Sequence, residues 1–262
     1  EIRKDLVPLA GEEKRMSNNK VIAVAGKGGV GKTTTSALIV GALIRRKKAP
    51  VLAIDADPNS CLAEGLGMEV DQTLGAIRDD IMDKKDKLPP GMSKQQLVEL
   101  YSHQCVAEGD GFDLLVMGRT EGPGCYCYVN DLLRGFMEKL EPNYPFTVMD
   151  NEAGMEHLSR RTARKVDHLL VVAGGSLASQ KAAIRIRDLV RELNVEVGTQ
   201  HLVLNMREDP GKAAIEGLPL AGTIPHDPAV EEAEAEGRSL ISLPGDSPVN
   251  AAVDGILTKI LE

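Results

Sequence analysis

The stretch Val21-Ile-Ala-Val-Ala-Gly-Lys-Gly-Gly-Val-Gly-Lys-Thr-Thr-Thr35 decides the fold. Its apolar opening, residues 21–25, has the length and composition of a strand buried on both faces of a parallel sheet. The run enters the turn Gly26-Lys-Gly-Gly-Val-Gly31, and a helical pattern then continues from Lys32 to about Lys47. Strand, glycine turn and helix in this order, spaced G-x-x-x-x-G-K-[ST], make a P-loop. Its glycines let backbone N–H groups turn inward around phosphate oxygens, and the helix N-terminus adds its positive end. The expected nucleotide contacts are Gly26, Lys27, Gly28, Gly29, Val30, Gly31, Lys32, Thr33 and Thr34. Lys32 reaches the β- and γ-phosphates in such a loop, and the Thr33 hydroxyl sits on Mg²⁺.

Outward from this stretch, apolar segments at 51–54, 112–117, 145–150, 167–173 and 201–205 read as further strands. Helical patterns are expected at 62–66, 73–82, 93–106, 129–140, 155–165, 227–236 and 248–261. Another follows Ser176, with Ile186, Leu189, Val190 and Leu193 on one stripe. The alternation predicts an α/β fold, a doubly wound, mostly parallel sheet flanked by helices. Residues 20–262 form one domain on this reading. Residues 1–19 are polar and aperiodic and read as a flexible arm or appended remnant, with Met16 a candidate natural start.

Ligands of such sheets bind at the carboxyl ends of strands. Asp55-Ala-Asp57-Pro ends the second strand, and Asp150-Asn-Glu-Ala-Gly154 ends the one at 145–150. An acid at a strand end with a glycine shortly after reads as a magnesium-holding carboxylate and a switch. Asp150 would hold Mg²⁺ through water, and Gly154 would free the backbone to follow the γ-phosphate.

With 262 residues, the chain is long enough for a full core. A formal charge of −8 disfavours binding nucleic acid through bulk charge. The basic run Arg160, Arg161, Arg164 and Lys165 reads as a solvated or interface face. No apolar run has membrane-spanning length, and no basic amphipathic helix closes the sequence. The expectations are therefore a cytoplasmic protein with neither a nucleic-acid nor a membrane partner. Thiols stay reduced in that compartment, so the four cysteines point to metal ligands or core residues rather than disulfides. Cys61 and Cys105, each alone, read as small packed residues. Cys125 and Cys127 open a helical stretch one residue apart. One such pair cannot fill a tetrahedral site, but two pairs across a twofold axis supply four thiolates.

The loop Gly26-Lys-Gly-Gly-Val-Gly-Lys-Thr33, with its additional Lys27, resembles the deviant P-loop of the MinD, ParA and nitrogenase iron-protein ATPases. The resemblance runs from Val21 to Pro225. It implies Mg²⁺-dependent ATP hydrolysis within a homodimer, in which Lys27 crosses to the partner's nucleotide. It makes 55–60 a switch, with Asp57 orienting the attacking water and Asp55 assisting the magnesium shell. It makes Asn205 the reader of adenine, with Arg207 and Pro225 beside the base. Within the group, Asp55-Ala-Asp-Pro-Asn-Ser-Cys-Leu62, Gly124-Cys-Tyr-Cys127 and Met149-Asp-Asn-Glu-Ala-Gly-Met-Glu-His-Leu158 resemble the CooC-type maturation ATPases of carbon monoxide dehydrogenase. A closely similar ATPase serves acetyl-CoA synthase. That resemblance implies Ni²⁺ or Zn²⁺ at Cys125 and Cys127 between two subunits, and nickel insertion into a client enzyme's cluster. Three other classes fit parts of the pattern. An iron–sulfur electron-transfer ATPase like the nitrogenase iron protein is expected to carry a second cysteine after Asp150, and none occurs, although two Cys-x-Cys pairs can also hold a cluster. A DNA-partitioning ATPase would use the basic run. A membrane-positioning switch would need the missing basic tail.

Overall fold

The computed structural model describes residues 19–59, 61–83, 104–119, 135, 139–151, 165–192, 195–205 and 215–262. Its centre is an eight-stranded sheet in the order β3-β4-β2-β5-β1-β6-β7-β8. The strands are β1 (Lys20–Gly26), β2 (Val51–Asp55), β3 (Val106–Glu108), β4 (Phe112–Val116), β5 (Phe146–Asp150), β6 (Val166–Ala173), β7 (Val197–Asn205) and β8 (Leu220–Ile224). Every neighbouring pair is parallel except β3 with β4. The described α-helices are α1 (Lys32–Arg45), α2 (Leu62–Leu66), α3 (Leu74–Asp83), α4 (Leu177–Glu192), α5 (Pro228–Ala235) and α6 (Pro248–Leu261).

The period-two alternation of the strands builds two cores. Ile22, Val24, Val148, Leu170 and Val172 face α1, α2 and α6, where Leu38, Leu43, Leu62, Val253 and Leu257 are buried. Val21, Ala23, Ile54, Met149 and Leu169 face the opposite way, against Leu74 and Ile77 of α3 and Ala183, Ile186 and Val190 of α4. Each fully buried Leu or Ile side chain contributes about 1.5–3 kcal/mol, so the central strands are the rigid frame. The chain leaves β1 through α1 for β2 on the far side of β5, while β6 lies on β1's other edge. The connections thus diverge at β1, and the crevice at its carboxyl end is where such sheets take ligands.

Helix boundaries follow local chemistry. Asp227 caps α5 by accepting from Ala229 N at 3.0 Å, and Ser247 caps α6 by accepting from Asn250 N at 3.4 Å. Proline stands at the start of both helices. Ser176 accepts from Ser179 N at 3.2 Å, as expected of the cap before α4.

Three strands differ from expectation. Gln104 is helical, but Val106, the last residue of the expected helix at 93–106, begins β3. Asp110-Gly111 makes the hairpin to β4: Gly111 has φ 84°, and Gly109 N donates to Phe112 O at 2.8 Å. Residues 220–224, for which no strand is expected, form β8, paired with an extended β7 that starts at Val197 rather than His201. The first half of β7 is polar and largely exposed, which hides it from an apolar reading. β8 contains Gly222 because a Cβ there would come within 2.5 Å of the Ile256 side chain. The expected helices at 129–140 and 155–165 lie mostly outside the described residues.

At the opposite end of the sheet, His168 of β6 pairs with Thr199 Oγ1 at 2.9 Å. Burial, and then Lys20, lowers its pKa; burial, and then Lys259, lowers that of His201 on β7. A histidine depressed in the fold gives stability that is complete above its ordinary value of 6.5 and is lost as pH falls through the folded value. Relative to wild type, His168→Asn is therefore expected to gain in urea midpoint as pH falls below about 6.5, the titrations common to both proteins cancelling in the difference, as read by denaturation of the two at several pH values.

Candidate nucleotide-binding site

The loop between β1 and α1 is shaped by two glycines. Gly26 lies against β6, where a Cβ would fall 2.5 Å from Val172 O. Gly31 has φ 82° and forms the N-cap of α1, and a Cβ there would meet the Asn205 amide nitrogen at 2.1 Å. Asn205, at the end of β7, donates from Nδ2 to Val30 O at 2.9 Å. It therefore ties the loop to the sheet. Helix α1 opens with no side-chain cap and no acidic residue in its first turn. Its leading N–H groups thus remain available to an anion, unlike those of the capped α5 and α6.

Lys32 is buried at the head of α1, whereas Lys27, Gly28 and Gly29 are exposed at the loop tip. The two lysines of the loop therefore serve different directions, Lys32 facing inward to the cradle and Lys27 standing where another molecule can reach it.

Thr33 Oγ1 donates to Asp150 Oδ2 at 2.6 Å. Asp150 is 1% exposed, and its Oδ1 is buried with no hydrogen-bond partner. An orphaned carboxylate oxygen beside a P-loop hydroxyl fits a hard divalent cation carrying water ligands. Burial raises the Asp150 carboxyl to about 6 despite the Thr33 bond and the Lys32 charge. Asp55 stands opposite Asp150 in the β2–β5 register. Burial raises it to about 7, with the Asp150 charge adding to the shift. Its oxygens accept from Asp57 N at 3.0 Å and Leu62 N at 2.9 Å. Asp55 thus braces the turn into α2, using both oxygens for backbone rather than leaving one open as Asp150 does. Asp57 is half-buried on that turn, its Oδ1 accepting from the Asn59 N and Nδ2, each at 2.9 Å.

Beside the loop, a cleft is lined by Thr34, Leu38, Asn205, Ile224, Pro225 and Glu234, among others. Its apolar wall and its contact with α1 suit a base whose phosphates lie on the loop. Pro225 and Asn205, expected beside a base, both line this cleft. Thr34 Oγ1 donates to Glu234 Oε1 at 2.8 Å. On Glu234's other side, a wider groove runs past Thr33, Cys61, Met68 and Arg238.

Cys105 is buried, and burial pushes its thiol up to about 12. Cys61, expected to be packed, is instead exposed, and burial of its sulfur followed by the Asp55 charge raises its pKa. Among the described residues, no group of three or more His, Cys, Asp or Glu side chains is placed to hold a metal ion. Cys125, Cys127, Gly154 and Arg207 lie outside the described residues. The structure thus brings together Lys32, Thr33, Asp55 and Asp150, with Asp57 on the adjoining turn. Sequence reasoning missed Asn59, Arg119, Asn151 and Glu234. Asn151 is buried and donates to Val24 O at 3.0 Å, fastening the end of β5 to β1; its signal was its place directly after Asp150.

Residues 21–241 match the model of the CobQ/CobB/MinD/ParA nucleotide-binding domain, and the chain belongs to this family of P-loop ATPases. It is 39% identical over 249 residues to an uncharacterised ATP-binding protein of Methanocaldococcus jannaschii, covering 92% of this chain and 98% of that one. It is 31% identical over 241 residues to the carbon monoxide dehydrogenase accessory protein CooC of Rhodospirillum rubrum, covering 85% and 89%. A ParA family ATPase from Chlorobium tepidum has the same fold, with a TM-score of 0.68 at 21% identity over 90% of this chain and 97% of that one. Among the described residues, no helix is long and apolar enough to cross a membrane.

Proposed function

We propose that the protein is an Mg²⁺-dependent ATPase that closes as a homodimer around nucleotide and supports nickel insertion into the active-site cluster of carbon monoxide dehydrogenase, or of acetyl-CoA synthase. The observation that carries the ATPase reading is the Thr33–Asp150 pair with its orphaned Asp150 oxygen, set against the cradle of α1. The CooC relative and the Cys125-x-Cys127 pair support the metal role.

In this reading the loop N–H groups and the head of α1 hold the β- and γ-phosphates. Lys32 balances the charge that grows on the bridging oxygen as the γ-phosphoryl leaves. Asp57, at the edge of the cradle, orients the attacking water and accepts its proton. Asn205 keeps the loop in register, and the cleft bounded by Pro225 holds the base. Thr33 and Asp150 are the residues that would hold Mg²⁺, which supplies charge neutralisation across the phosphates. Cys125 and Cys127 from two protomers would carry Ni²⁺ or Zn²⁺ as cargo.

Lys27 tests the dimer. Exposed at the loop tip, it is the natural cross-subunit cation. Lys27→Ala is expected to bind ATP within about threefold of wild type yet to stay monomeric with ATP by analytical ultracentrifugation. A variant that dimerises normally would count against the shared site.

A partitioning role is the second reading, drawing on the ParA membership of the family and the basic run ending at Lys165. Lys165 itself is exposed and pairs with Asp167 at 3.5 Å. ATP-dependent, salt-sensitive binding to arbitrary DNA would favour that reading.

A further inference from the structure

We infer that Arg119, acting through Asn59, is a positioning residue for Asp57; this rests on the reading of Asp57 as the residue that orients water.

Three side chains form a relay at the carboxyl end of the sheet. Asp57 Oδ1 accepts two bonds from Asn59, one from the backbone N and one from Nδ2. Asn59 Oδ1 in turn accepts from Arg119 Nη2. The chemistry allows only one orientation of the Asn59 amide. A guanidinium has donors alone and an ionised carboxylate acceptors alone, so the oxygen must face Arg119 and the NH₂ must face Asp57. Flipping the amide would set donor against donor and acceptor against acceptor. An amide held between a cation and an anion is polarised in the same sense by both, and each bond strengthens the other.

The root of Arg119 is fixed independently of the relay. Gly75 N at the head of α3 donates to Met117 O at 2.8 Å, and a Cβ on Gly75 would fall 2.2 Å from Arg119 O. Gly118 has φ 67°, and a Cβ there would meet Thr73 Oγ1 at 2.4 Å. Helix α3 therefore presses directly on residues 117–119. Met117 N also donates to Asp55 O at 2.8 Å, so both ends of the relay are referenced to the same pair of strands. A turn of exposed residues gains in this way a fixed post from a packed helix–strand junction. Arg119 and Asn59 are both exposed, so the relay adds little to stability. Its effect falls on the placement of one carboxylate, where an error of about 1 Å costs up to roughly a hundredfold in rate.

The test compares single-turnover ATP hydrolysis and nucleotide affinity in Arg119→Ala, Arg119→Lys, Asn59→Ala and the double variant, with Asp57→Asn as reference. Arg119→Ala is expected to lower the hydrolysis rate about 10- to 100-fold while ATP affinity stays within about twofold. Arg119→Lys should recover part of the rate, since a cation returns without the planar fork. The double variant should be no slower than the slower single one, because the two residues act as a unit. Wild-type hydrolysis by Arg119→Ala, alongside a slow Asp57→Asn, would overturn the relay and leave the Asp57 assignment standing. Multiplying losses in the double variant, or a loss of affinity without loss of rate, would also overturn it. Full hydrolysis by Asp57→Asn would overturn the Asp57 assignment and the relay with it.

Discussion

Replacing Lys32 with alanine is expected to lower ATP hydrolysis by about 10²–10³-fold and to weaken nucleotide binding, with the fold intact. Lys32 is the buried cation at the head of α1. Its backbone N–H belongs to a helix that no side chain caps, so a phosphate there has both the helix end and the ammonium to meet. Alanine keeps the helix, being its best former, and removes only the ammonium. In the absence of ligand, that ammonium also offsets the charge of Asp150, whose carboxyl lies within its electrostatic reach. The variant should therefore keep its far-UV circular dichroism and lose phosphate release and calorimetric ATP binding together. Normal turnover by Lys32→Ala would remove the loop from the mechanism.

Asp57→Asn should behave differently. The asparagine keeps the shape and can still accept from Asn59 N, but it cannot take a proton from water. Hydrolysis is expected to fall about 10²–10⁴-fold, the range for loss of a general base. ATP binding should persist, because the cradle of glycines, Lys32 and α1 is untouched. A protein that binds ATP and fails to cleave it should accumulate in the closed state, so the ATP-bound dimer should live longer by sizing. Rapid dimer decay with slow hydrolysis would separate closure from ATP binding and contradict the proposed cycle.

The loop half of the candidate site was legible from the sequence because its geometry is local. Gly26 to Thr33 are contiguous, and their turn and helix follow from the residues themselves. Asp150 was legible as an acid at the end of an apolar strand, and the β2–β5 register brings Asp55 opposite it. The strands that escaped notice lack that local signal. β3 is three residues long and depends on a hairpin partner, while β8 is defined by β7 and by the space that Ile256 fills. Asn205 shows the same limit within the site. Its position at a strand end was readable, but the bond to Val30 O joins residues 175 apart in sequence and gives it a part in steadying the loop that no local pattern shows. Glu234 and Arg119 were invisible for the same reason, since each matters only through a partner far along the chain.

The proposed account joins the nucleotide site to metal through two copies of Cys125 and Cys127. Titration of Ni²⁺ and Zn²⁺ into wild type and Cys125→Ser/Cys127→Ser, with and without ATP, read by metal stoichiometry and sizing, tests that claim most directly. The account predicts one tightly held divalent ion per dimer in wild type and none in the double variant. Tight binding that survives the loss of both thiols would contradict it.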